Sequence, residues 1–235
     1  MLPRTLRLFS TLAISVWWLN GMAQETPKSP EQQVQQQISQ WTEQPLPVFC
    51  GVSVSADLVG FAMKAMGSDY AQMEVACRVY LKDKFIPVVE CGYGTANRTG
   101  DETDNTFKTQ APYFRLGMDY NFSKRKRSGN RLYAGVRYGF TSFSYDIGDP
   151  HFGDPVWGIS RPLAMNGLNG NAQWGEIVFG LESRIWKIFH LGWSVRYKSR
   201  FKHKASAYGQ PWYIPGFGKN DSSCLGGTFN LIFEI

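Results

Sequence analysis

The chain has 235 residues, a formal net charge of +6 and 43% hydrophobic residues. This length allows one domain with a sizeable core, and the modest positive charge does not support a nucleic-acid partner. Aromatic residues make up 15% of the chain and glycine occurs 24 times, which is typical of tightly packed β-barrels with aromatic girdles.

The N-terminal segment, residues 1–23, has the three parts of a secretory signal peptide. Arg4 and Arg7 supply positive charge, Leu8–Leu19 is largely apolar, and Gly21–Ala23 offers small residues before a cleavage point. We therefore predict cleavage after the last of these residues. Cleavage would lower the net charge from +6 to +4, because it removes two arginines and no acid. The alternative is a membrane anchor, but a spanning helix needs about 20 apolar residues, more than this run contains.

A Gln-rich leader occupies residues 24–48, which we predict to lie in the periplasm. Ser29-Pro30 fits a helix cap followed by the first helical position. Val34, Ile38 and Trp41 lie at helical spacing. A short amphipathic helix and a flexible leader both fit this pattern.

The remainder, residues 49–235, contains eight segments in which apolar and polar residues alternate, as in strands with two different faces. We predict strands at about 51–61, 70–81, 85–96, 110–123, 131–145, 172–186, 188–201 and 224–235. Pro87 cannot donate to a ladder, so the third segment is predicted to bulge or to begin later there. Connections after the second, fourth and sixth segments are short and the others long, which is typical of barrels with short periplasmic turns and long extracellular loops.

The polar faces of these strands are nearly balanced in charge. They carry the acids Asp57, Glu74, Glu90, Asp119, Glu176, Glu182 and Glu234 and the bases Arg78, Arg115, Arg137, Arg184, Arg196 and Lys198. An eight-stranded barrel is narrow enough to be filled by its own side chains, and buried charges must be paired. We therefore predict an all-β, antiparallel up-and-down transmembrane barrel with an ion-pair network in its lumen and no open pore. A soluble lipocalin-like barrel with its faces exchanged is the alternative fold.

Four cysteines remain after the signal segment. Cys77 and Cys91 flank a predicted hairpin and are expected to be neighbours, and their spacing leaves open whether they pair. Cys50 and Cys224 begin antiparallel strands and so lie at opposite barrel ends, too far apart for a disulfide. The cysteine spacing matches no zinc motif, and we expect no metal and no cofactor.

Exposed aromatic and basic residues are predicted in the third and fourth long loops. They are Trp157 and Arg161 in the third loop, 146–171, and Lys202, Lys204, Trp212 and Tyr213 in the fourth. Such groups suit lipopolysaccharide phosphate, an extracellular glycan or a protein partner. Alternatively, these loops only fold over the barrel mouth.

A catalytic site has weak support. His203 with Ser206 and a lumen carboxylate is the best candidate for a base and nucleophile, and His190 is predicted to lie beside a periplasmic turn. A solvated loop histidine is the simpler interpretation of His203. We therefore expect a non-enzymatic protein used for structure, adhesion or partner binding, with a lipid-modifying enzyme and a narrow solute pore as alternatives.

The C-terminal strand places Phe229, Leu231, Phe233 and Ile235 on one face. With the signal peptide, the eight segments and the loop asymmetry, it resembles small outer-membrane β-barrel proteins of Gram-negative bacteria. The leader and the Gly-aromatic strands are similar to uncharacterised barrel families of Bacteroidota. This resemblance implies an outer-membrane location with both mature termini in the periplasm, contact with lipid and lipopolysaccharide, and a terminal strand read by the barrel-assembly machinery. Ile235 departs from the commonest pattern, a terminal aromatic residue.

Overall fold

The computed structural model describes residues 47–100, 104–123, 129–149, 153–154, 159–160, 163–207 and 209–235. The predicted signal peptide and nearly all of the leader lie outside these residues. Within the described ranges the chain is all-β apart from one short helix. That helix is neither long nor apolar enough to cross a membrane.

Eight long strands make up most of the fold. They are β1 (Phe49–Asp57), β2 (Tyr70–Leu81), β3 (Phe85–Thr99), β4 (Thr106–Asn121), β5 (Arg131–Asp149), β8 (Leu163–Trp186), β9 (Phe189–Lys204) and β12 (Ser223–Glu234). The remaining elements are helix α1 (Leu58–Ala65) and the two-residue strands β6 (Gly153–Asp154), β7 (Ile159–Ser160), β10 (Tyr213–Ile214) and β11 (Gly218–Lys219). The long strands form a closed antiparallel barrel in the order β1-β12-β9-β8-β5-β4-β3-β2, which agrees with the predicted all-β, eight-stranded arrangement.

Several strands are longer than predicted. β3 and β4 pair as far as Thr99 and Thr106, and β5 and β8 pair as far as Asp149 and Leu163. Much of the sequence predicted as the second and third long loops therefore extends the barrel wall. These extensions were predicted as loops because they are rich in Ser, Thr, Asn and Gly, which are common in loops.

The first strand is shorter than predicted, because the chain turns into helix α1 after Asp57. The Asp57 side chain accepts a hydrogen bond of 3.0 Å from the Val59 amide, which makes it the helix N-cap. The same carboxylate accepts a 3.2 Å bond from the Phe229 amide of β12. Asp57 thus starts the helix and holds the edge of the last strand at the point where β1 leaves the barrel.

The bulge predicted at Pro87 is absent from the pairing of β3 with β4, which runs without a shift through Pro87 and Met118. On the other side of β3, the pairs pass from Arg78–Val88 directly to Leu81–Phe85. Pro87, which has no N–H to donate, therefore lies where the pairing of β3 with β2 is interrupted.

The barrel has two zones along its axis. The turn zone lies next to the connections β2–β3, β4–β5 and β8–β9, and there the outward residues are apolar and the inward ones charged. On β4, the outward Phe114, Leu116 and Met118 are 45%, 51% and 47% exposed, whereas the inward Arg115 and Asp119 are each 1% exposed. Apolar side chains of the turn zone thus face outward.

The loop zone lies at the opposite end of the barrel and has the reverse polarity. On β4 its outward residues are Thr106, Lys108 and Gln110, and its inward residues include Phe107 and Tyr113. β5 and β8 change in the same way: on β5 the outward Phe140 is followed by the outward Ser142, and β8 has outward Asn and Gln before outward Ile and Phe. The main apolar core, which includes Phe107, Tyr113, Phe143, Tyr145, Trp174 and Phe217, lies inside this zone.

Candidate functional site

One buried carboxylate lies at the centre of the turn zone. Glu90 of β3 is surrounded by three guanidinium groups, with nitrogen–oxygen distances of 3.2 Å to Arg115, 3.1 Å to Arg137 and 2.8 Å to Arg196. These arginines come from β4, β5 and β9, so their side chains cross the lumen from three strands. Charge-assisted contacts of this kind are strong and directional when they are buried.

Each of these arginines also contacts a second carboxylate. Arg137 donates two 2.7 Å hydrogen bonds to Asp119, Arg196 lies 2.9 Å from Glu74, and Arg115 contacts Glu74 and, at 2.8 Å, Glu176. The network therefore joins residues of β2, β3, β4, β5, β8 and β9. We call it the central ion cluster.

A second cluster lies nearer the turns. Arg131 donates two 2.8 Å bonds to Glu234 and lies 2.9 Å from Asp83 and 3.2 Å from Glu182. Its guanidinium carbon is 3.9 Å from the centre of the Tyr80 ring. We call this group, with His190, the basal ion cluster.

His190 lies near the β8–β9 turn, as predicted, and its side chain belongs to the basal ion cluster inside the lumen. Its ring is 1% exposed, with Nδ1 3.3 Å from Glu182 and Nε2 3.2 Å from Glu234. The ligand atoms of these three residues lie within 4.8 Å of one another, a spacing that suits a metal ion. Arg131, however, already contacts both carboxylates.

Three lumen residues were not predicted from the sequence: Arg131, Asp83 and His190. For two of these residues, the alternation of side chains along the strand predicts an inward orientation. Arg131 is six residues from Arg137 on β5, and His190 is six residues from Arg196 on β9, so each has the same inward parity as its partner. Both lie among the first residues of the predicted strands 131–145 and 188–201, where strand parity was not applied.

Two residues predicted for the lumen network lie elsewhere or make other contacts. Arg184 is exposed at the end of β8, where the pairing with β9 is irregular between Arg184 and Trp186. This irregularity breaks the simple alternation used to place it. Asp57 is only partly buried, and its described hydrogen bonds are to backbone amides.

Two other predicted members are buried without a described ion pair. Arg78 donates a 3.3 Å bond to the Ser55 hydroxyl and lies over the Tyr133 ring at 5.8 Å. Lys198 donates to the carbonyls of Gly216, at 2.8 Å, and Phe217, at 3.1 Å. Neither has a carboxylate oxygen within 4.0 Å among the residues that the structure describes.

Two aromatic side chains join the ion clusters to the apolar core of the loop zone. Trp174 donates a 2.6 Å bond from its indole nitrogen to Glu176, and Tyr113 donates a 3.1 Å bond from its hydroxyl to Glu74. Both rings are fully buried. The N–H and O–H groups of these side chains are therefore hydrogen-bonded to the central ion cluster. Their apolar ring atoms belong to the apolar core of the loop zone, on the side nearest the cluster.

The segment 211–217, which we call the plug, folds into the barrel at the loop end. Tyr213, Ile214 and Phe217 are all fully buried in it. Gly216 has φ of +82°, and a Cβ there would lie 2.5 Å from the Tyr113 ring, so only glycine fits. Its carbonyl accepts a 2.7 Å bond from Arg115 as well as the bond from Lys198. The plug is thus anchored to the central ion cluster.

The residues predicted as a loop binding surface are divided by the plug. Tyr213 lies inside the barrel, where Gln72 donates to its hydroxyl and burial raises the pKa of its phenol. Trp212 is half-buried, with the Arg98 guanidinium 4.6 Å above its ring. Lys202 and Lys204 are exposed. The last two predicted members, Trp157 and Arg161, lie outside the described residues.

The weak catalytic candidates lie near the loop end. The His203 Nε2 atom is 3.2 Å from the Gln210 side-chain oxygen. The Ser206 backbone amide donates to the Tyr145 hydroxyl at 3.2 Å. The described side-chain partner of His203 is therefore the amide of Gln210. The contacts above do not include the serine–histidine contact that is expected of a nucleophile and its base.

The terminal strand has its predicted apolar residues on the outer face. Phe229 packs against Trp193, with ring centres 5.2 Å apart, and Phe233 packs against Phe189 at 4.9 Å. Leu231 is half-exposed and Ile235 is exposed. All four cysteines are free. Cys77 pairs with Val89 and Cys91 with Val75 across β2 and β3, so the two cysteines lie on a diagonal of the outer face.

Comparisons with known proteins identify a family of unknown function. A comparison with curated proteins and one with solved structures each gave no match. A family model described as "Domain of unknown function (DUF6048)" matches residues 5–234, nearly the whole chain. This chain belongs to the DUF6048 family.

Proposed function

We propose that this protein is an outer-membrane β-barrel that does not conduct solutes and that binds a partner at its loop end. The observation that carries the proposal is the apolar outer face of the turn zone. From Leu132 to Phe140 on β5, eight steps of about 3.3 Å at a tilt of roughly 40° give a belt about 20 Å high. Membrane barrels have an apolar band of about 25 Å.

The apolar belt continues around the barrel. Its exposed members include Val54, Met73, Val75, Val89, Phe114, Leu116, Met118, Val136, Ile177, Phe179, Leu181, Trp193, Val195 and Leu225. Soluble monomers rarely expose a contiguous apolar patch larger than a few hundred Å². A belt that surrounds eight strands therefore favours a bilayer over water as its environment and makes the lipocalin-like alternative the weaker one.

Aromatic contacts near the borders of the belt support the same placement. At the turn side, Phe85 packs against Tyr120, and the Lys84 ammonium lies 5.7 Å and 5.2 Å from the two ring centres. At the loop side, Tyr138 stacks on Phe201 with ring centres 6.0 Å apart. Aromatic rings with nearby cationic groups suit the boundary between hydrocarbon and headgroups.

The filled lumen argues against the narrow-pore alternative. The central ion cluster crosses the barrel from six strands, and above it lie the buried rings of Trp174 and Phe217, with centres 5.9 Å apart. A solute would have to break several charge-assisted bonds and displace the plug. Such a displacement exposes paired buried charges, which is costly.

The loop end offers the better surface for a partner. Lys202 and Lys204 are exposed on β9, and Arg98 is stacked on Trp212. Cationic and aromatic groups together favour an anionic carbohydrate, such as a glycan with phosphate groups on the cell surface. A lipid-modifying activity through His203 and Ser206 is less well supported, given the described contact of His203 with Gln210.

Fractionation of cells that express the full chain tests the proposal. We expect the protein in the outer-membrane fraction, soluble only in detergent, with a gel mobility that changes on heating. We also expect no conductance in planar bilayers. Purified protein that stays monomeric in buffer without detergent would contradict the membrane assignment, and steady single-channel currents would contradict the closed lumen.

A further inference from the structure

The barrel wall has a lateral opening next to β1. This strand pairs with β12 only from Ser53 to Asp57, with Asp57 opposite Asn230, and its pairing with β2 ends at Ala56 and Val75. Beyond this level, Tyr70–Glu74 of β2 and Ser223–Phe229 of β12 have no strand between them. The wall is therefore open over the upper part of this seam.

Helix α1 lies across the opening and packs against both edges. A side chain at Gly60 would place its Cβ 1.4 Å from the Gln72 carbonyl oxygen, so the helix backbone lies directly on β2. On the β12 side, a cavity of about 810 Å³ remains between the helix, the strand edge and the lumen. Sites for small molecules have volumes of about 300–1,000 Å³.

The outer part of this cavity is lined by apolar residues of the belt. Trp193, Val195, Leu225 and Phe229 contribute from β9 and β12, and Met63 contributes from the helix. Leu225 is 72% exposed. The mouth of the cavity thus lies at the height of the apolar belt, so a ligand enters from the side and not through the plugged loop end.

The inner part of the cavity contains Lys198, a buried cation that has no carboxylate oxygen within 4.0 Å among the described residues. Its two described hydrogen bonds are to backbone carbonyls. Because an ammonium group has three N–H donors, one donor remains for a further acceptor. Of the other buried charged residues that line the cavity, Arg115 and Arg196 both contact Glu74. The lining also includes the partly buried Asp57 and the exposed Lys219 and Asp221.

We propose that this lateral cavity binds one long-chain fatty acid, with its carboxylate at Lys198 and its acyl chain between helix α1 and β12. The site joins an apolar channel that is open to the belt with one buried ammonium group, Lys198, that has a donor left for a ligand. One carboxylate matches one donor, whereas a phosphate group needs more donors. The inference rests on the proposed membrane location, because the mouth must face the bilayer.

Native mass spectrometry of the full chain in a non-ionic detergent, with palmitic acid added, tests the site. We expect one palmitate per chain, and little binding of methyl palmitate, which lacks the charge. Lys198→Met, which keeps a long side chain but removes the ammonium, is expected to weaken palmitate binding by about tenfold or more. The exposed Lys108→Met on β4, outside the lining of the cavity, is the matched control and should bind as the unmodified chain does.

A second variant keeps the test independent of Lys198. A Cβ at Gly227 would have only the Ser194 carbonyl oxygen within 4 Å, at 3.8 Å, so Gly227→Phe fills the mouth without a backbone collision and should also abolish binding. Equal palmitate binding in both folded variants would overturn the site. Equal or tighter binding of lysophosphatidylglycerol would overturn the carboxylate assignment. Protein that fractionates with the outer membrane but takes up no palmitate would overturn this inference alone and leave the proposed function intact.

Discussion

The turn zone and the loop zone use the same strands with opposite polarity. In the turn zone Leu116 and Val136 face outward and Arg115 and Arg137 face inward, whereas in the loop zone Ser142 faces outward and Tyr145 inward. Strand alternation is therefore kept along most of each strand, apart from local irregularities on β5 and β8, and the kind of residue on each face changes between the zones. On the proposed function, this change of polarity lies at the outer surface of the bilayer.

The two zones are also stabilised differently. The turn zone is held by ion pairs in the lumen and the loop zone by an apolar core of buried rings. Removal of one partner from a buried ion cluster leaves uncompensated charge, whereas a change in an aromatic core mainly costs packing. The effects of substitutions on the free energy of unfolding should therefore differ in size between the two zones. These effects should also depend differently on the environment of the barrel.

The largest effect is expected from loss of the central carboxylate. Glu90→Leu leaves the guanidinium groups of Arg115, Arg137 and Arg196 without their shared acceptor and should lower the free energy of unfolding by roughly 3–5 kcal/mol. Urea titration of the heat-modifiable folded form measures it. The exposed Asp221→Asn is the control. A Glu90→Leu barrel as stable as the control would show that the cluster does not stabilise the lumen.

A pair of substitutions on one strand compares the outer faces of the two zones. Val136→Arg places a charge in the apolar belt and should cost roughly 2–4 kcal/mol in lipid vesicles. Ser142→Arg, on the same face of β5 beyond the reversal, should change stability by less than about 0.5 kcal/mol. Equal losses of stability from the two arginine substitutions would contradict the claim that the outer faces of the two zones have different environments.

The plug is tested by two glycines with similar backbone geometry. Gly216 and Gly167 have φ of +82° and +70°, but a Cβ at Gly216 meets the Tyr113 ring whereas one at Gly167 meets nothing within 4 Å. Gly216→Ala should therefore destabilise the protein by about 1–3 kcal/mol more than Gly167→Ala. Thermal unfolding in detergent measures the difference. Equal losses of stability in the two variants would mean that the plug does not pack closely against Tyr113.

The smallest effect is expected at the seam beside the lateral opening. Asp57→Ala removes the cap of helix α1 and the acceptor for the Phe229 amide and should cost about 1 kcal/mol. Hydrogen exchange should become faster at Val59 and Phe229 but remain slow at Val136, on a strand far from the seam. Unchanged exchange at both amides would contradict the role of Asp57 in holding this edge.

The sequence predicted the turn zone well because its alternation follows the expected pattern. The bounds of β2 and the inward positions of Glu90 and Arg137 follow directly from strand parity. In the loop zone the same parity persists, but polar residues such as Ser142 and Ser144 lie outside and aromatic ones inside. The predicted strand ended at Tyr145, because the residues that follow are rich in Asp, Gly, Pro and Asn, and the rest of the hairpin was therefore assigned to a loop.

Long-range contacts were beyond the reach of sequence patterns. Tyr213 lies in a segment of aromatic residues, Gly and Pro that looks like an exposed loop. Only the hydrogen bond from Gln72 to Tyr213 and the packing of Gly216 against Tyr113 show that this segment folds into the lumen. His190 and Arg131 lie at strand ends, where the boundary between turn and strand is least certain. The helix after Asp57 was missed because Leu58–Phe61 is short and apolar, which also fits a strand.

The most direct test of the polarity reversal uses spin labels at positions 136 and 142 in lipid vesicles. Each label is attached to a cysteine, Val136→Cys or Ser142→Cys, in a chain whose four native cysteines are replaced by alanine. We expect the label at 136 to be relaxed by oxygen and protected from a water-soluble nickel reagent, and the label at 142 to show the reverse. Nickel accessibility at both positions would contradict the claim that the turn zone lies within a bilayer.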